Sequence, residues 1–302
     1  MKNYKPIIYL LSFITVVFSG CQKRENADPK YIAELNEWHT QRVSRLKAKT
    51  GWLNLAGLYW LKQGENTFGS GQDNDIIFPQ GKSPEKMGSF LLTDTLVTIK
   101  VIDEVEVKSN GEKITEMELR SDITDSPTIL AHNSLSWFIV QRDEKIGIRL
   151  RDYEADLVKS FTGIDRFPVD SNWQIKAKFI PFEEDSFIEI PNVLGQITKV
   201  KAPGKVVFNI DGKEYSLIPS GGTESLFFVF ADGTSGKETY GAGRFLYIPG
   251  PDENNNVILD FNKSYNPPCA FTKFATCPLP PKENYLKVDI TAGEKKFGDG
   301  HH

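Results

Sequence analysis

The apolar residues near the start of the chain recur at the spacing of a helix. Asp28 is a favourable N-cap, and Pro29 suits the first helical position. Lysine, arginine, glutamate and glutamine occupy the opposite side. The positions that share the apolar face are Tyr31, Leu35, Trp38 and Leu46. The pattern predicts one amphipathic helix of about five turns over residues 29–48, which caps a sheet edge or an open barrel end or, alternatively, lies on a membrane surface.

After residue 51 the apolar residues alternate with polar ones. A dense apolar segment at 52–61 is followed by short alternating runs, which glycine, proline, asparagine and aspartate separate. Asp211 and Gly212 form a typical two-residue hairpin turn between two of these runs. The predicted strands lie at 64–69, 75–78, 88–92, 95–102, 104–108, 113–120, 135–142, 145–151, 173–182, 187–190, 196–201, 205–210, 213–218, 225–231, 242–248, 257–261 and 285–290.

This pattern predicts a mainly β fold, an antiparallel β-sandwich or barrel in two packed parts with one N-terminal amphipathic helix. Residues 155–172 are the least strand-like interior stretch and mark the predicted boundary. The predicted organisation is a signal peptide at 1–20, a lipid tether at 21–28, the helix at 29–50, a first β domain at 51–155 and a second at 156–302.

Composition and charge exclude several classes of protein. The chain has 302 residues, 39% of them apolar, and a net charge of −4. These values exclude a disordered tail protein and a coiled coil, and they argue against nucleic acid as a partner. The complete phosphate-loop motif Gly-x-x-x-x-Gly-Lys-Ser/Thr does not occur in the sequence, and no cofactor is indicated.

The first residues resemble an export signal. Lysines precede an apolar run at 7–18 that is too short to span a bilayer, and Ser19, Gly20 and Cys21 follow it. Small residues directly before a cysteine resemble the lipobox of bacterial lipoproteins. The resemblance implies that Cys21 carries a lipid and that the membrane is a partner, with the protein anchored to the cell envelope on the periplasmic side or at the cell surface. An ordinary cleaved signal peptide is the alternative.

Two further cysteines, Cys269 and Cys277, lie eight residues apart in a proline-rich stretch. In an oxidising compartment such a pair can close a disulfide loop, with two free thiols and a metal site as the alternatives. A metal is not indicated, because no companion pair of cysteines is present and histidine is scarce. Whether the terminal His301 and His302 are native is left open.

Three segments of the N-terminal β region form a further pattern: Gly-Glu-Asn-Thr-Phe-Gly-Ser at 64–70, Asn-Asp-Ile-Ile-Phe-Pro at 74–79 and Ser-Asn-Gly at 109–111. They resemble a forkhead-associated domain, a β-sandwich that binds phosphothreonine peptides. Ser70 stands where the family has an arginine, and Lys86 stands where it has a histidine. The resemblance therefore implies the sandwich architecture without the phosphate ligand.

A second set of segments forms a signature that spans most of the chain after about residue 50. It consists of Arg142 and residues 147–152, of the stretch 232–246 with its Thr-Tyr-Gly-Ala-Gly-Arg segment, and of the stretch 259–281 with its Leu-Asp-Phe-Asn, Asn-Pro-Pro-Cys-Ala-Phe and Ala-Thr-Cys-Pro-Leu-Pro-Pro segments, and it closes with Asn284 and residues 292–294. This signature resembles that of a bacterial family defined only as a domain of unknown function. It implies no activity, so the chemistry must be sought in the residues.

Seven polar residues of this signature are the candidate ligand-binding site. Gly241 and Gly243 permit a close backbone approach before the arginine, and two prolines stiffen the loop that follows the aspartate. The candidates are Tyr240, Arg244, Asp260, Asn262, Tyr265, Asn266 and Glu294. An arginine with a carboxylate, an amide and a phenol can hold a small polar ligand. A buried Arg244–Asp260 pair with only a structural role is the alternative.

A second group of charges lies at strand positions near residue 150. Arg149 and Arg151 share one face of an alternating strand, close to Arg142 and Asp152. This arrangement suits either a cationic patch for an anionic group or an Arg–Asp network that braces the sheet.

Catalytic patterns are incomplete in this sequence. His39 and His132 lack the context of a Ser-His-Asp triad, and neither Cys269 nor Cys277 has an evident histidine base. We therefore expect a cell-envelope lipoprotein that binds a small anionic or carbohydrate ligand. A hydrolase that uses side chains of the signature, such as the carboxylates of Asp260 and Glu294, is the alternative, and whether the protein is an enzyme is left open.

Overall fold

A computed structural model describes residues 27–183 and 186–298. It begins with helix α1 (Pro29–Lys47). The Asp28 carboxylate accepts a hydrogen bond of 2.7 Å from the backbone N–H of Lys30, so the predicted N-cap is formed. Leu35 and Leu46 are buried on one face of the helix, as the pattern predicted. Arg42 is buried on this face as well.

The first β part consists of a six-stranded and a five-stranded sheet. The six-stranded sheet has the order β1-β11-β10-β9-β6-β7, and the other has the order β3-β2-β4-β5-β8. Both sheets contribute to one core, in which the ring centres of Phe68 and Trp137 lie 6.0 Å apart. The strands are β1 (Leu55–Trp60), β2 (Gly64–Gly69), β3 (Ile76–Ile77), β4 (Gly88–Thr93), β5 (Leu96–Val101), β6 (Val107–Ser109), β7 (Glu112–Ile114), β8 (Glu116–Leu119), β9 (Leu130–His132), β10 (Leu135–Arg142) and β11 (Lys145–Asp152).

The second β part contains a four-stranded sheet, β16-β15-β12-β19, and the two-stranded sheets β13-β14 and β17-β18. Its core contains Phe179, Phe208, Phe228 and Phe261. The strands are β12 (Gln174–Pro181), β13 (Phe187–Pro191), β14 (Ile197–Lys201), β15 (Gly204–Ile210), β16 (Lys213–Leu217), β17 (Ser225–Phe230), β18 (Arg244–Pro249) and β19 (Asn256–Asp260). Short 3-10 helices lie at Ser171–Trp173, Phe261–Lys263, Pro268–Ala270 and Lys282–Asn284.

A third apolar cluster connects the elements that lie between the two cores. Leu46 at the end of α1 packs in it with Leu53, Phe161 and Phe271. The short helix α2 (Asp156–Ser160) contributes partly buried side chains to the same cluster. This helix lies inside the stretch predicted as the domain boundary, and the domain limits themselves stay a prediction.

The predicted fold class is confirmed: the described chain is mainly β, its sheets are antiparallel apart from one parallel pair, and one long helix precedes them. No closed barrel occurs in the described ranges. Two strands were not predicted as such, β1 inside the dense apolar segment and β9. In the described part of the chain, no helix is both long and apolar enough to cross a membrane.

The predicted strand at 285–290 is wrong. Leu286 and Ile290 are buried as the alternation required, but the segment has no strand partner. It runs beside residues 231–233 with single backbone hydrogen bonds, among them Leu286 N–H to Ala231 O at 2.8 Å and Gly233 N–H to Val288 O at 2.8 Å. Alternating burial therefore arises here without a regular ladder.

Candidate functional site

Arg244 at the start of β18 is completely buried in a structural ion pair. Its Nη2 lies 2.8 Å from Oδ2 of Asp232, and the guanidinium also donates to the backbone carbonyls of Ile290 and Ala292. Burial lowers the pKa of Arg244, and Asp232 opposes this effect. The partner is thus Asp232, not Asp260, and the guanidinium is enclosed by acceptors of the protein itself.

Asp260 ends β19, and its carboxylate caps the following 3-10 turn by accepting the N–H of Asn262 at 3.1 Å. Because the strand ends at Asp260, these two residues do not lie on one shared sheet face. The hydroxyl of Tyr31 in α1 donates to Asp260 Oδ1 at 2.7 Å. Burial, followed by the Asp260 carboxylate, raises the pKa of Tyr31. Asn262 holds the backbone of Asp170 through hydrogen bonds of 2.9 and 3.2 Å.

Glu294 and Asn266 form a third network with Arg42 of α1. The Glu294 carboxylate lies 3.2 Å from Arg42 Nε and accepts the N–H of Asn266 at 2.7 Å. The Arg42 guanidinium also donates to Asn266 O at 2.8 Å and lies 4.6 Å from the centre of the Tyr265 ring. Burial raises the pKa of Glu294 against the opposing effect of Arg42, and burial also raises the pKa of Tyr265.

Tyr240 contacts the loop that the disulfide between Cys269 and Cys277 closes. Cys269 and Cys277 are joined by a disulfide, with their Cα atoms 6.1 Å apart. The Tyr240 hydroxyl donates to the Cys269 carbonyl at 3.1 Å, and burial raises its pKa. The backbone N–H of Val193 donates to Cys277 O at 3.1 Å, which attaches this loop to the turn after β13.

The seven candidate residues therefore divide among separate networks instead of converging on one open cluster. Arg244 is enclosed with Asp232, and the carboxylates of Asp260 and Glu294 are only 4% and 1% exposed. Two of these networks are completed by α1, through Tyr31 and Arg42. The structural alternative for Arg244 describes its surroundings better than the ligand-contact hypothesis does.

An open cavity of about 500 Å³ lies beside these networks. Two segments that are joined in antiparallel fashion form much of its wall: the N–H of Phe167 donates to Gly293 O at 3.0 Å, and the N–H of Lys295 donates to Asp165 O at 2.8 Å. Its lining residues are Phe167, Pro168, Val169, Asp170, Glu238, Thr291 and Lys295.

Two of the predicted site residues, Asn262 and Asn266, form hydrogen bonds with the backbone of this wall. The Asn262 side chain accepts a hydrogen bond from the backbone N–H of Asp170 and donates one to the carbonyl of the same residue. The Asn266 side chain donates to the carbonyl of Lys295 at 2.7 Å. The Lys295 ammonium lies 4.8 Å from the centre of the Phe167 ring at the cavity. The cavity thus combines an aromatic face, a cation, a hydroxyl and two carboxylates, a set that can bind a polar ligand.

The cationic residues near position 150 are only partly paired. Arg142 forms an ion pair of 2.8 Å with Asp122, and Arg151 donates to Asn54 Oδ1 at 2.7 Å. Asp152 faces Lys82 at 3.4 Å. An Arg–Asp pair, one of the two alternatives considered above, therefore exists, and its carboxylate belongs to Asp122.

Sequence reasoning missed Asp232, Tyr31 and Arg42 as members of these networks. Asp232 stood inside the signature, and its carboxylate accepts the N–H of Thr234 two residues later at 2.9 Å, a typical use of Asp-Gly-Thr. Arg42 lies seven residues after Leu35 and therefore on the apolar helix face. A charged residue on the apolar face of a helix was the feature of the sequence that could have indicated a buried ion pair.

The remaining candidates have no structural test. Cys21, His301 and His302 lie outside the described residues. Among the residues that are described, no group of three or more His, Cys, Asp or Glu side chains is arranged to hold a metal ion. The absence of a metal and of a cofactor stays a prediction.

Several solved structures are similar to parts of this chain. The solution structure of an uncharacterized protein from Haloarcula marismortui is 26% identical, with a TM-score of 0.39 over 48% of this chain and 80% of that one. An FHA domain studied for phosphothreonine-dependent interactions is 13% identical, with a TM-score of 0.22 over 31% of this chain and 92% of that one. Mycobacterium tuberculosis EmbR in complex with a low affinity phosphopeptide is 14% identical, with a TM-score of 0.21 over 42% and 32%.

No curated protein matches the chain. Residues 159–295 match the family described as "Protein of unknown function (DUF1684)", and this range contains every residue that lines the 500 Å³ cavity. The match confirms the resemblance to a domain of unknown function over this part of the chain.

Proposed function

We propose that the protein is a lipid-anchored protein of the bacterial cell envelope that binds a small polyhydroxylated ligand, a carbohydrate, in the cavity that Phe167 and Lys295 help to line. The observation that carries the proposal is that cavity, whose 500 Å³ lies within the roughly 300–1,000 Å³ typical of small-molecule sites. The lipid anchor rests on the sequence before and at Cys21.

The lining of the cavity favours a carbohydrate over an anion. The lining contains two acidic residues, Asp170 and Glu238, and one basic residue, Lys295, so an anionic ligand meets more negative than positive charge. Carboxylates accept hydrogen bonds from hydroxyl groups, and Thr291 adds a hydroxyl that donates or accepts. The apolar face of a sugar ring can pack against Phe167 and Pro168.

The rigidity of the wall supports a binding role. Asn262 and Asn266 tie two lining segments to the buried interior, so the cavity is held in shape before a ligand enters. A preformed site loses less conformational entropy on binding. The hydrolase alternative has weaker support, because Asp260 and Glu294 are enclosed in different networks and leave no open space for a substrate.

A ligand screen on the full chain tests the proposal. Native mass spectrometry with glucose, galactose and N-acetylglucosamine, alone and as disaccharides, reports binding directly. We expect at least one of them to bind the wild type and to bind Glu238→Gln at least about 10-fold more weakly, which corresponds to the loss of one charge-assisted hydrogen bond.

The matched control is Glu283→Gln, which removes the same charge at an exposed position that does not line this cavity. It should bind as the wild type does. If no saccharide binds, or if both variants lose binding equally, the proposed function is wrong.

A further inference from the structure

Arg149 is a buried cation in the first β part. Its side chain lies in β11, and the residue is only 5% exposed. Nε and Nη2 are both buried, and neither has a hydrogen-bond partner in the part of the chain that the structure describes. A guanidinium carries five N–H donors and strongly favours acceptors when it is removed from water, so this position lacks a group that it needs.

The neighbouring charges do not supply that group. Asp122 is the nearby carboxylate, but it pairs with Arg142 at 2.8 Å. Arg151, two residues along the strand, donates to Asn54 and to a backbone carbonyl. Each of these two arginines has its acceptors, whereas Nε and Nη2 of Arg149 have none among the described residues.

The position of Arg149 on the sheet directs its side chain away from the main core. Ile148 and Leu150 on either side are fully buried in that core, so Arg149 points to the opposite face. Its direct cross-strand neighbours are Leu58 in β1 and Phe138 in β10, and both are partly exposed. This face therefore offers an apolar surface beside the guanidinium.

The unpartnered nitrogens define the kind of ligand. Nε and Nη2 form one edge of the guanidinium, and their two parallel N–H groups match two oxygens of one carboxylate or phosphate group. We propose that Arg149 binds the oxyanion group of a small ligand on the face of the β1-β11-β10 sheet that is opposite the main core, at a site separate from the cavity that is lined by residues 167–170, 238, 291 and 295.

Two properties of the site follow from its burial. Burial, followed by Arg142, lowers the pKa of Arg149 to about 10, so the side chain is still a cation at neutral pH. Because Nε and Nη2 are enclosed, an oxyanion reaches them only when side chains beside the guanidinium move aside. Binding then gives the two buried N–H groups an acceptor, and it should stabilise the folded chain.

Thermal unfolding of the full chain in sodium chloride, phosphate and acetate at equal ionic strength tests this site. For the wild type, we expect phosphate or acetate to raise the melting temperature by at least about 2 °C over chloride. Arg149→Met should lack that increment and melt in chloride at the wild-type temperature or above it. The exposed Arg120 provides the control, because Arg120→Met removes an equal charge and should keep the increment.

The anion that acts identifies the chemistry: an increment in acetate supports a carboxylate ligand, and one in phosphate alone supports a phosphate. The proposal is overturned if the wild type shows no increment over chloride in either salt, or if Arg149→Met retains it. Should that variant fail to fold, Arg149→Lys keeps the charge without the two-donor edge. It should lose at least half of the increment, and full retention would count equally against the site.

Discussion

Arg42 and Glu294 form a buried salt bridge of 3.2 Å between residues that are 252 positions apart in the chain. The arginine belongs to the N-terminal helix, and the glutamate lies at the end of the region that matches the family of unknown function. The carboxylate is 1% exposed. The helix thus supplies a counter-charge that the C-terminal part requires, so α1 is a structural member of that part.

Removing Arg42 should destabilise the fold strongly. Arg42→Met leaves Glu294 buried without a cation, and we expect the free energy of unfolding to fall by about 3–5 kcal/mol. Glu294→Gln should cost less, because Arg42 keeps the Asn266 carbonyl at 2.8 Å as an acceptor. Urea unfolding measures both changes. Arg45→Met, at an exposed position on the same helix, should change stability by less than about 0.5 kcal/mol, and an equal loss in both arginine variants would contradict this role.

Glu294 also gives stability a specific dependence on pH. Burial raises its folded-state pKa above the ordinary value of 4.5, so the folded chain binds the proton more tightly than the unfolded chain does. The contribution is fully present below the unfolded pKa and is lost as the pH rises through the raised folded pKa. The unfolding free energy of the wild type minus that of Glu294→Gln should therefore decline as the pH increases from about 4. Urea titrations at several pH values measure this difference, and a difference that grows with pH would contradict the raised pKa.

Tyr31 should contribute through a single hydrogen bond. Tyr31→Phe removes the donor that lies 2.7 Å from Asp260 Oδ1 and leaves a buried carboxylate oxygen without it. We expect a loss of about 1–3 kcal/mol in the free energy of unfolding by urea. Tyr285→Phe removes a hydroxyl at an exposed position and serves as the control. If both variants unfold at the same urea concentration, the hydrogen bond between Tyr31 and Asp260 does not contribute to the free energy of unfolding.

Arg244 should behave as a structural residue in unfolding experiments. Arg244→Met leaves Asp232 buried at the 2.8 Å contact, and a loss of about 3–5 kcal/mol is expected in thermal or urea unfolding. This outcome differs from that of a ligand contact, whose replacement leaves the folded spectrum almost unchanged. Near-wild-type stability of Arg244→Met would restore the ligand-contact hypothesis.

Much of the fold could be predicted because local patterns determine it. The N-cap at Asp28, the turn at residues 211–212 and the strand at 135–142 all lie where the sequence indicated them. The segment 285–290 shows that alternating apolar and polar residues do not by themselves predict a strand. Its apolar residues are buried, but whether the backbone finds a ladder partner depends on distant chain segments.

The partners of the candidate residues could not be predicted in the same way. Arg244 pairs with Asp232 and not with Asp260, and Glu294 pairs with a helix at the other end of the chain. Such pairs depend on tertiary placement, which spacing along the sequence does not encode. The cavity was missed for the same reason, because its lining comes from three separate segments at 167–170, 238 and 291–295.

The predicted lipid anchor has a direct test. Intact-mass analysis of the membrane fraction should show an acyl addition on the mature wild type, because the residues before Cys21 resemble an export signal. Cys21→Ala should lack the addition and appear in the soluble fraction. A wild-type mass without an acyl addition would exclude the anchor while leaving the proposed ligand site untouched.

The central claim is that a saccharide occupies the cavity beside Lys295, and titration calorimetry on two adjacent lysine variants tests it most directly. Lys295 lines the cavity, whereas Lys296 is exposed and does not line it. With the saccharide that the screen identifies, Lys295→Met should bind at least about 10-fold more weakly than the wild type, and Lys296→Met should bind equally well. Equal affinities of Lys295→Met and the wild type would contradict the assignment of this cavity as the binding site.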